Sequence, residues 1–260
     1  KWIVLKTVKA KLISTMGGCM KFFGIGGAPL DSTVWDFLYS CHFPYALGYG
    51  LTETSPLIAG CGPKHKMHKK GYIGKPVKHD DVILLDKNEE GVGEIAVKGP
   101  NVMTGYYNNE ELNKEVFTPE GYFKTGDLGY IDKHGYLSIR GRVKTMILGP
   151  AGENIYPESI ESIINNMEFV QESLVVPGDG GLVALIKVDL EAMQEKLKIN
   201  AEEVKNEAEK YLVKLKKTVN EQLSSFSKIS DTELQERDFE RTPTQKIKRF
   251  LYSKKKKEDK

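Results

Sequence analysis

Cysteine is scarce: Cys19, Cys41 and Cys61 are an odd number, widely spaced and without a Cys-x-x-Cys pair. That fits a reducing compartment with free thiols better than a disulfide framework. Long apolar runs are missing as well, none approaching the roughly 20 residues of a membrane-spanning helix. The opening "KWIVLKTVKAKL" is too interrupted by lysine for a signal peptide, so a cytoplasmic location is expected. Excess charge of one sign is also lacking, since 38 Lys and Arg face 36 Asp and Glu for a net charge of +2. A dedicated nucleic-acid binder usually carries a strong basic excess or stripe, so no nucleic-acid partner is expected. Much of the small excess sits in the closing "SKKKKEDK", which reads as a solvated run with a peripheral membrane contact as its rival reading. The chain has no initiator Met and begins on what reads as a helix already under way, so we expect its N-terminal part to be missing. Oligomeric state is not legible.

What is present suits a globular protein. With 260 residues and 40% hydrophobic content the chain can fill one large domain or two. "KFFGIGGAPLDSTVWDFLYSC" reads as a short buried strand, a glycine turn and a helix capped by Asp31, with Val34, Phe37, Leu38 and Cys41 on one face. This is an α/β unit. From about 72 to 140, "DVILLD", "GEIAVKG" and "GYLSIRG" are short strands divided by turn residues, the texture of an antiparallel sheet or small barrel. Beyond Arg142 the pattern changes to an α+β unit: a strand "TMIL", a loop "GPAGENIYP", a helix from Glu158 to about Met167, strands near "SLVVPG" and "GLVALIKVDL", and a charged helix from about 200 to 222. The expected domains are therefore 1–143 and 144–260. His65 and His68 in "KHKMHKK" lack a third ligand and read as a solvated loop.

"GYGLTETSP", residues 48–56, carries the most chemistry. Glycines let backbone approach a ligand, the Tyr49 ring offers a flat face, hydroxyls suit phosphate oxygens and the Glu53 carboxylate suits a hard cation. Plain turns also use Gly and Thr, so the stretch alone decides nothing. Others join it: "GGAPL" at 26–30, "GYFKTGDLG" at 121–129 presenting Asp127 from a glycine turn, Arg142 in "RGRVKTMILGPAGENIYPESIE", and Lys246 in "RTPTQKIKRF". A carboxylate such as Asp127 can accept both hydrogen bonds of a ribose diol.

The order GGAPL, YGLTE, TGD, GRVK, GxxIxPxxIE and TPTQKIKR, over about 26 to 250, resembles the adenylate-forming superfamily of acyl-CoA synthetases, luciferases and peptide-synthetase adenylation domains. Within it the text most resembles bacterial-type long-chain fatty-acid CoA ligases. The resemblance implies the end of a large adenylation domain, an α/β unit with a small antiparallel β part, followed by a small mobile α+β domain. It implies ATP, magnesium and coenzyme A, a fatty acid as substrate, and two steps through an acyl-adenylate. Position by position, it implies that Gly27, Ala28 and Pro29 flank adenine, Tyr49 and Gly50 contact it, Thr52 binds the α-phosphate, and Glu53 holds the metal. Asp127 and Arg142 would bind the ribose and Lys246 the α-phosphate and carboxylate oxygens. Lys144 matches the hinge, and the loop around Gly152 lines the coenzyme A path. Two departures stand out: Gln245 replaces the family's glycine before Lys246, and no "SGTTGxPKG" phosphate loop is present. An aryl-acid or amino-acid adenylation domain, or a non-catalytic nucleotide-binding module, is the alternative.

Overall fold

The chain folds as two units, Lys1–Lys144 and Thr145–Lys260, and a computed structural model describes residues 2–243 and 246–253. Gln245 and the lysine run after Ser253 lie outside the described residues.

The first unit starts with α1 (Trp2–Thr15), β1 (Phe23–Gly26), α2 (Ser32–Ser40), β2 (Tyr45–Gly50), β3 (Leu57–Cys61) and β4 (Lys75–Pro76). Asp31 caps α2 by accepting from the Thr33 and Val34 N–H groups at 2.8 and 3.1 Å, which satisfies donors that a helix start leaves orphaned. β1 and β2 run parallel, with Gly26 beside Gly48, and β3 and β4 extend the sheet antiparallel. A second sheet, order β5-β6-β7-β8, is wholly antiparallel: β5 (Asp81–Leu85), β6 (Gly93–Lys98), β7 (Phe123–Ile131) and β8 (Leu137–Arg142), with α3 (Glu110–Val116) inserted before β7. Leu137 exchanges backbone hydrogen bonds with Ile73 and Gly74, tying this sheet to the first. Ile58 and Ala59 from one sheet and Ile95, Val97, Phe123 and Leu137 from the other form a shared core.

Local readings need correction here. β1 is exposed rather than buried, its Phe23 42% accessible. On α2 the inward residues are Trp35, Leu38, Tyr39 and Cys41, while Val34 and Phe37 are exposed, and the Trp35 indole stacks on Tyr39 one turn along the buried face. Asp127 does not sit on a glycine turn. It lies inside the nine-residue β7, where Thr125, Gly126 and Asp127 stand opposite the single Ile95 of β6; Gly126 takes φ +71 there, so the glycine marks a bulge. The histidines are not solvated either. His68 is buried against the Tyr45 ring with its Nδ1 3.3 Å from the Cys61 thiol, and His65 stacks between Tyr39 and His42. All three cysteines are free.

The second unit comprises β9 (Ile147–Leu148), β10 (Asn154–Ile155), α4 (Pro157–Asn165), β11 (Val170–Gly178), β12 (Gly181–Val188), α5 (Leu190–Leu197), α6 (Ala201–Asn220) and β13 (Ile229–Leu234). β11 and β12 form a hairpin, and β13 returns to pair with β12 in parallel after the two helices, the crossover a parallel pair requires. Neither α5 nor β13 was read from the sequence. Asp189, taken as the end of a strand, caps α5 through the Ala192 N–H at 2.9 Å, and the polar "ISDTEL" becomes a strand only through its ladder to β12. α6 opens on an Asn200 and Glu203 capping box and buries Val204, Ala208, Leu212, Leu215 and Val219 at three- and four-residue spacing. These meet Val175, Leu182, Ala184 and Ile186 from one sheet face, while Leu174, Val176, Val183 and Leu185 meet Phe239 on the other. The period-two alternation of strands that are covered on both faces accounts for the split.

Glu161, nine-tenths buried on α4, accepts from the Val175 N–H at 2.7 Å and forms a two-pronged pair with Arg249, whose Nη1 lies 2.7 Å from Oε1. Burial pushes the Glu161 carboxyl up, and the guanidinium opposes that. Arg249→Ala therefore leaves a buried carboxylate without its cation, and urea unfolding is expected to show about 3–5 kcal/mol lost; replacing both residues by leucine should recover most of it. In the first unit, burial lowers the pKa of His68 from its ordinary 6.5. The neutral ring's contribution is thus present above the unfolded value and lost as pH falls through the folded one. Stability measured against pH should decline below about 6.5 more steeply in the native chain than in His68→Phe, which keeps an aromatic ring on Tyr45.

Candidate active site

The parallel ladder of β1 and β2 ends at Gly26 and Gly48, and β2 runs on to Gly50, so the segments that follow the two strands leave from one edge of the sheet. Ligands of α/β sheets bind outside such carboxyl ends. Gly27, Ala28 and Pro29 follow β1 and are exposed, Gly27 at φ +80. After β2 the chain makes a single 3-10 turn, Thr52–Thr54. The buried Thr54 hydroxyl shapes it, accepting from the Leu51 N–H at 3.1 Å and lying 3.0 and 2.9 Å from the Leu51 and Pro56 carbonyls. Asn101 grips the same segment, its amide donating to the Thr54 and Leu57 carbonyls, both at 2.9 Å. Gly50 is required by closeness: a Cβ there would lie 1.7 Å from the Pro56 carbonyl oxygen.

This scaffold presents Thr52 exposed and Glu53 half-buried. The Glu53 carbonyl accepts from the Met103 N–H at 2.8 Å, and its Oε1 accepts from the Tyr106 hydroxyl at 2.9 Å. Among the described residues there is no group of three or more His, Cys, Asp or Glu able to hold a metal. A lone carboxylate with a second oxygen to offer suits magnesium, which binds through one or two carboxylates plus substrate phosphates.

Four residues before Glu53, Tyr49 links the two sheets. Its hydroxyl donates to Asp127 Oδ2 at 2.8 Å, and Arg142 Nε donates to Oδ1 at 2.7 Å from the neighbouring strand. Asp127 is buried while the Arg142 side chain is 46% exposed, so the pair joins interior to surface. Its own N–H is met by the Thr125 hydroxyl at 3.1 Å, which in turn lies 2.8 Å from the Ile95 carbonyl. Burial first, then the adjoining Asp127 charge, raises the Tyr49 phenol far above its ordinary value, so it acts as a donor throughout the neutral range. A carboxylate has about four lone-pair sites, and with one taken on each oxygen Asp127 retains acceptor capacity for a diol.

These residues, from Gly27 to Arg142, share the first unit. Lys144 is the last residue of that unit and lies exposed in the turn after β8. Gly152 and Lys246 belong to the second. Gly152 occupies the β9–β10 turn at φ +87, its N–H on the Gly149 carbonyl at 3.0 Å. Lys246 is exposed, and its segment is pinned by Thr242: the Lys246 carbonyl accepts from the Thr242 N–H at 2.8 Å and its N–H meets the Thr242 hydroxyl at 3.2 Å. Sequence reasoning missed Tyr106, Asn101 and Thr125. Their roles rest on contacts with residues 30 to 53 positions away, and no local pattern marks them.

The pattern of AMP-binding enzymes matches residues 4–107. Over that span the chain is similar to AMP-binding enzymes. A 2-succinylbenzoate–CoA ligase of Oceanobacillus iheyensis is 33% identical over 195 residues, 74% of this chain and 40% of that protein. A long-chain-fatty-acid–CoA ligase of Mycobacterium tuberculosis is 35% identical over 191 residues, 73% of this chain and 30% of that one. Among solved structures, the o-succinylbenzoate CoA synthetase of Bacillus subtilis in complex with its acyl-adenylate intermediate superposes with a TM-score of 0.75 at 27% identity, covering 96% of this chain and 50% of that chain. The fold is thus the mixed α/β architecture of adenylating enzymes. The chain spans less than half the length of these curated relatives and half of that solved structure.

In the first unit the Tyr49 hydroxyl and the Arg142 guanidinium both donate to the buried Asp127. Tyr49→Phe should cost about 1–3 kcal/mol of stability, the range for leaving a buried acceptor without its donor. Denaturant unfolding checks this, and the loss should shrink when Asp127→Asn is already present.

Proposed function

We propose that the protein joins a carboxylic acid to coenzyme A in two steps, and that the observation carrying this reading is the Tyr49–Asp127–Arg142 triad standing four residues from Glu53. In the first step a carboxylate oxygen attacks the α-phosphorus of ATP and pyrophosphate leaves. In the second, the thiol of coenzyme A attacks the acyl carbon and AMP leaves. Gly27, Ala28 and Pro29 flank the adenine, with the Tyr49 ring and the Gly50 backbone on its other side. Asp127 and Arg142 take the ribose hydroxyls, and Thr52 takes an α-phosphate oxygen. A magnesium ion held by Glu53 would lower the repulsion between the phosphates and the incoming carboxylate. Lys246 supplies a further cation to the α-phosphate and carboxylate oxygens, where preorganised charge counts most. For the second step the backbone at Lys144 turns, Lys246 withdraws, and the loop around Gly152 lines the path of coenzyme A; residues 1–143 are then the end of a large adenylation domain and residues 144–260 its small mobile partner.

The acid is proposed to be a medium or long fatty acid. A cleft of about 700 Å³ opens beside β1, β2 and β3 and is lined by Gly26, Gly48, Leu57, Gly60, Met67 and Val77 among others, with Lys75 as its one charged residue. Glycines leave room and apolar side chains favour an alkyl chain. An aryl acid is the second reading, supported by the similarity to 2-succinylbenzoate–CoA ligases.

Single-turnover assays of each half-reaction in the full-length protein test both parts. Lys246→Ala should slow adenylation by on the order of 10²-fold, the scale of one preorganised partner, while transfer from a supplied acyl-adenylate survives. Lys144→Pro, which locks φ near −65°, should retain adenylation and lose thioester formation, while Lys144→Ala keeps both. Equal loss of both steps in Lys246→Ala would overturn its assignment, and faster adenylation of 2-succinylbenzoate than of a long-chain fatty acid would overturn the choice of acid.

A further inference from the structure

Glu53 does not hold its own orientation. Its side chain leaves a three-residue 3-10 turn and is half-exposed, so its torsions are free unless another group restrains them. That group is Tyr106, 53 positions later in sequence, through the 2.9 Å bond from its hydroxyl to Glu53 Oε1. We propose that Tyr106 is a positioning residue for Glu53: it fixes one carboxylate oxygen so that the other is presented to a divalent cation. This rests on the proposed role of Glu53 as the cation ligand.

Tyr106 is itself anchored. Its N–H donates to Asn113 Oδ1 at 2.7 Å and its carbonyl accepts from Asn113 Nδ2 at 3.0 Å, a closed two-bond ring that uses both ends of the amide. Gly105, at φ +148, lets the amide lie flush against the chain, since a Cβ there would come within 2.9 Å of Asn113 Nδ2. Asn113 is carried by α3, whose first turn is capped by Asn109 accepting from the Leu112 N–H at 3.2 Å. The Met103 N–H to Glu53 carbonyl bond fixes the backbone beneath the same side chain. The consequence shows in the adjacent tyrosines: Tyr106 is half-buried, while Tyr107, outside the ring of bonds, is 92% exposed.

A hydroxyl that only stabilised the fold would leave cation affinity unchanged when removed. One that orients a ligand would not. The test is electron paramagnetic resonance titration of Mn²⁺ with ATP present, on the full-length protein and its Glu53→Gln, Tyr106→Phe and Asn113→Ala variants, with melting temperatures recorded alongside. We expect Glu53→Gln to abolish the protein-bound Mn²⁺ signal. Tyr106→Phe should weaken Mn²⁺ binding roughly tenfold, the scale of one hydrogen bond to a charged group. Asn113→Ala, which keeps the hydroxyl but releases its anchor, should weaken it by a smaller factor and serves as the readout if Tyr106→Phe does not fold. Loss of Mn²⁺ in Glu53→Gln together with native affinity in Tyr106→Phe, or in Asn113→Ala where it is the readout, would overturn the positioning role and leave the cation site standing. Equal Mn²⁺ binding by the native protein and Glu53→Gln would overturn both.

Discussion

Asp127 is the constraint on which the site depends. It is a buried carboxylate, and a buried charge persists only when paired and hydrogen-bonded. Tyr49 meets it from one sheet and Arg142 from its own, so the same two bonds that make the charge tolerable also register the sheets against each other. Because Tyr49 and Glu53 lie on one short segment, fixing the first brings the second to a defined place. The bulge at Gly126 aims the carboxylate, and its geometry is stabilised from behind by the Thr125 hydroxyl and by the Glu94 carboxylate on the Gly126 N–H at 3.0 Å.

The second unit solves a comparable problem with a different pair. Glu161 and Arg249 are separated by 88 positions in sequence and joined by a two-pronged ion pair. Arg249 lies three residues beyond Lys246, so the interaction that neutralises a buried carboxylate also tethers the segment carrying the exposed lysine. Thr242 closes the other side. In both units a charge pair that costs desolvation recurs beside a residue proposed to act, a use of buried ion pairs for geometry more than for net stability.

Small residues complete the arrangement by what they permit. Gly50 lets β2 run directly under the Pro56 carbonyl, and the turn that follows is held by the Thr54 hydroxyl and the Asn101 amide. A site built this way keeps its polar groups near the surface while the adjoining cleft stays apolar.

Much of this was legible in the amino-acid order, and the reason is local. The Asp31 cap, the strands at 81–85 and 93–98 and the spacing of apolar residues on the long charged helix are each encoded within a few residues, and motif order carried the family from GGAPL to TPTQKIKR. Other features were decided only by tertiary contacts. β13 is a polar hexapeptide that becomes a strand because β12 offers it a ladder. Asp127 was taken for a turn residue because TGD looks like one, and the bulge exists only opposite Ile95. His65 and His68 looked solvated among lysines, yet ring stacking and a thiol contact bury His68. The sequence by itself determined which chemical groups the protein carries and in what order. The tertiary structure decided which of them meet, because a hydrogen bond between Tyr106 and Glu53 depends on distance in space and leaves no period or spacing in the chain.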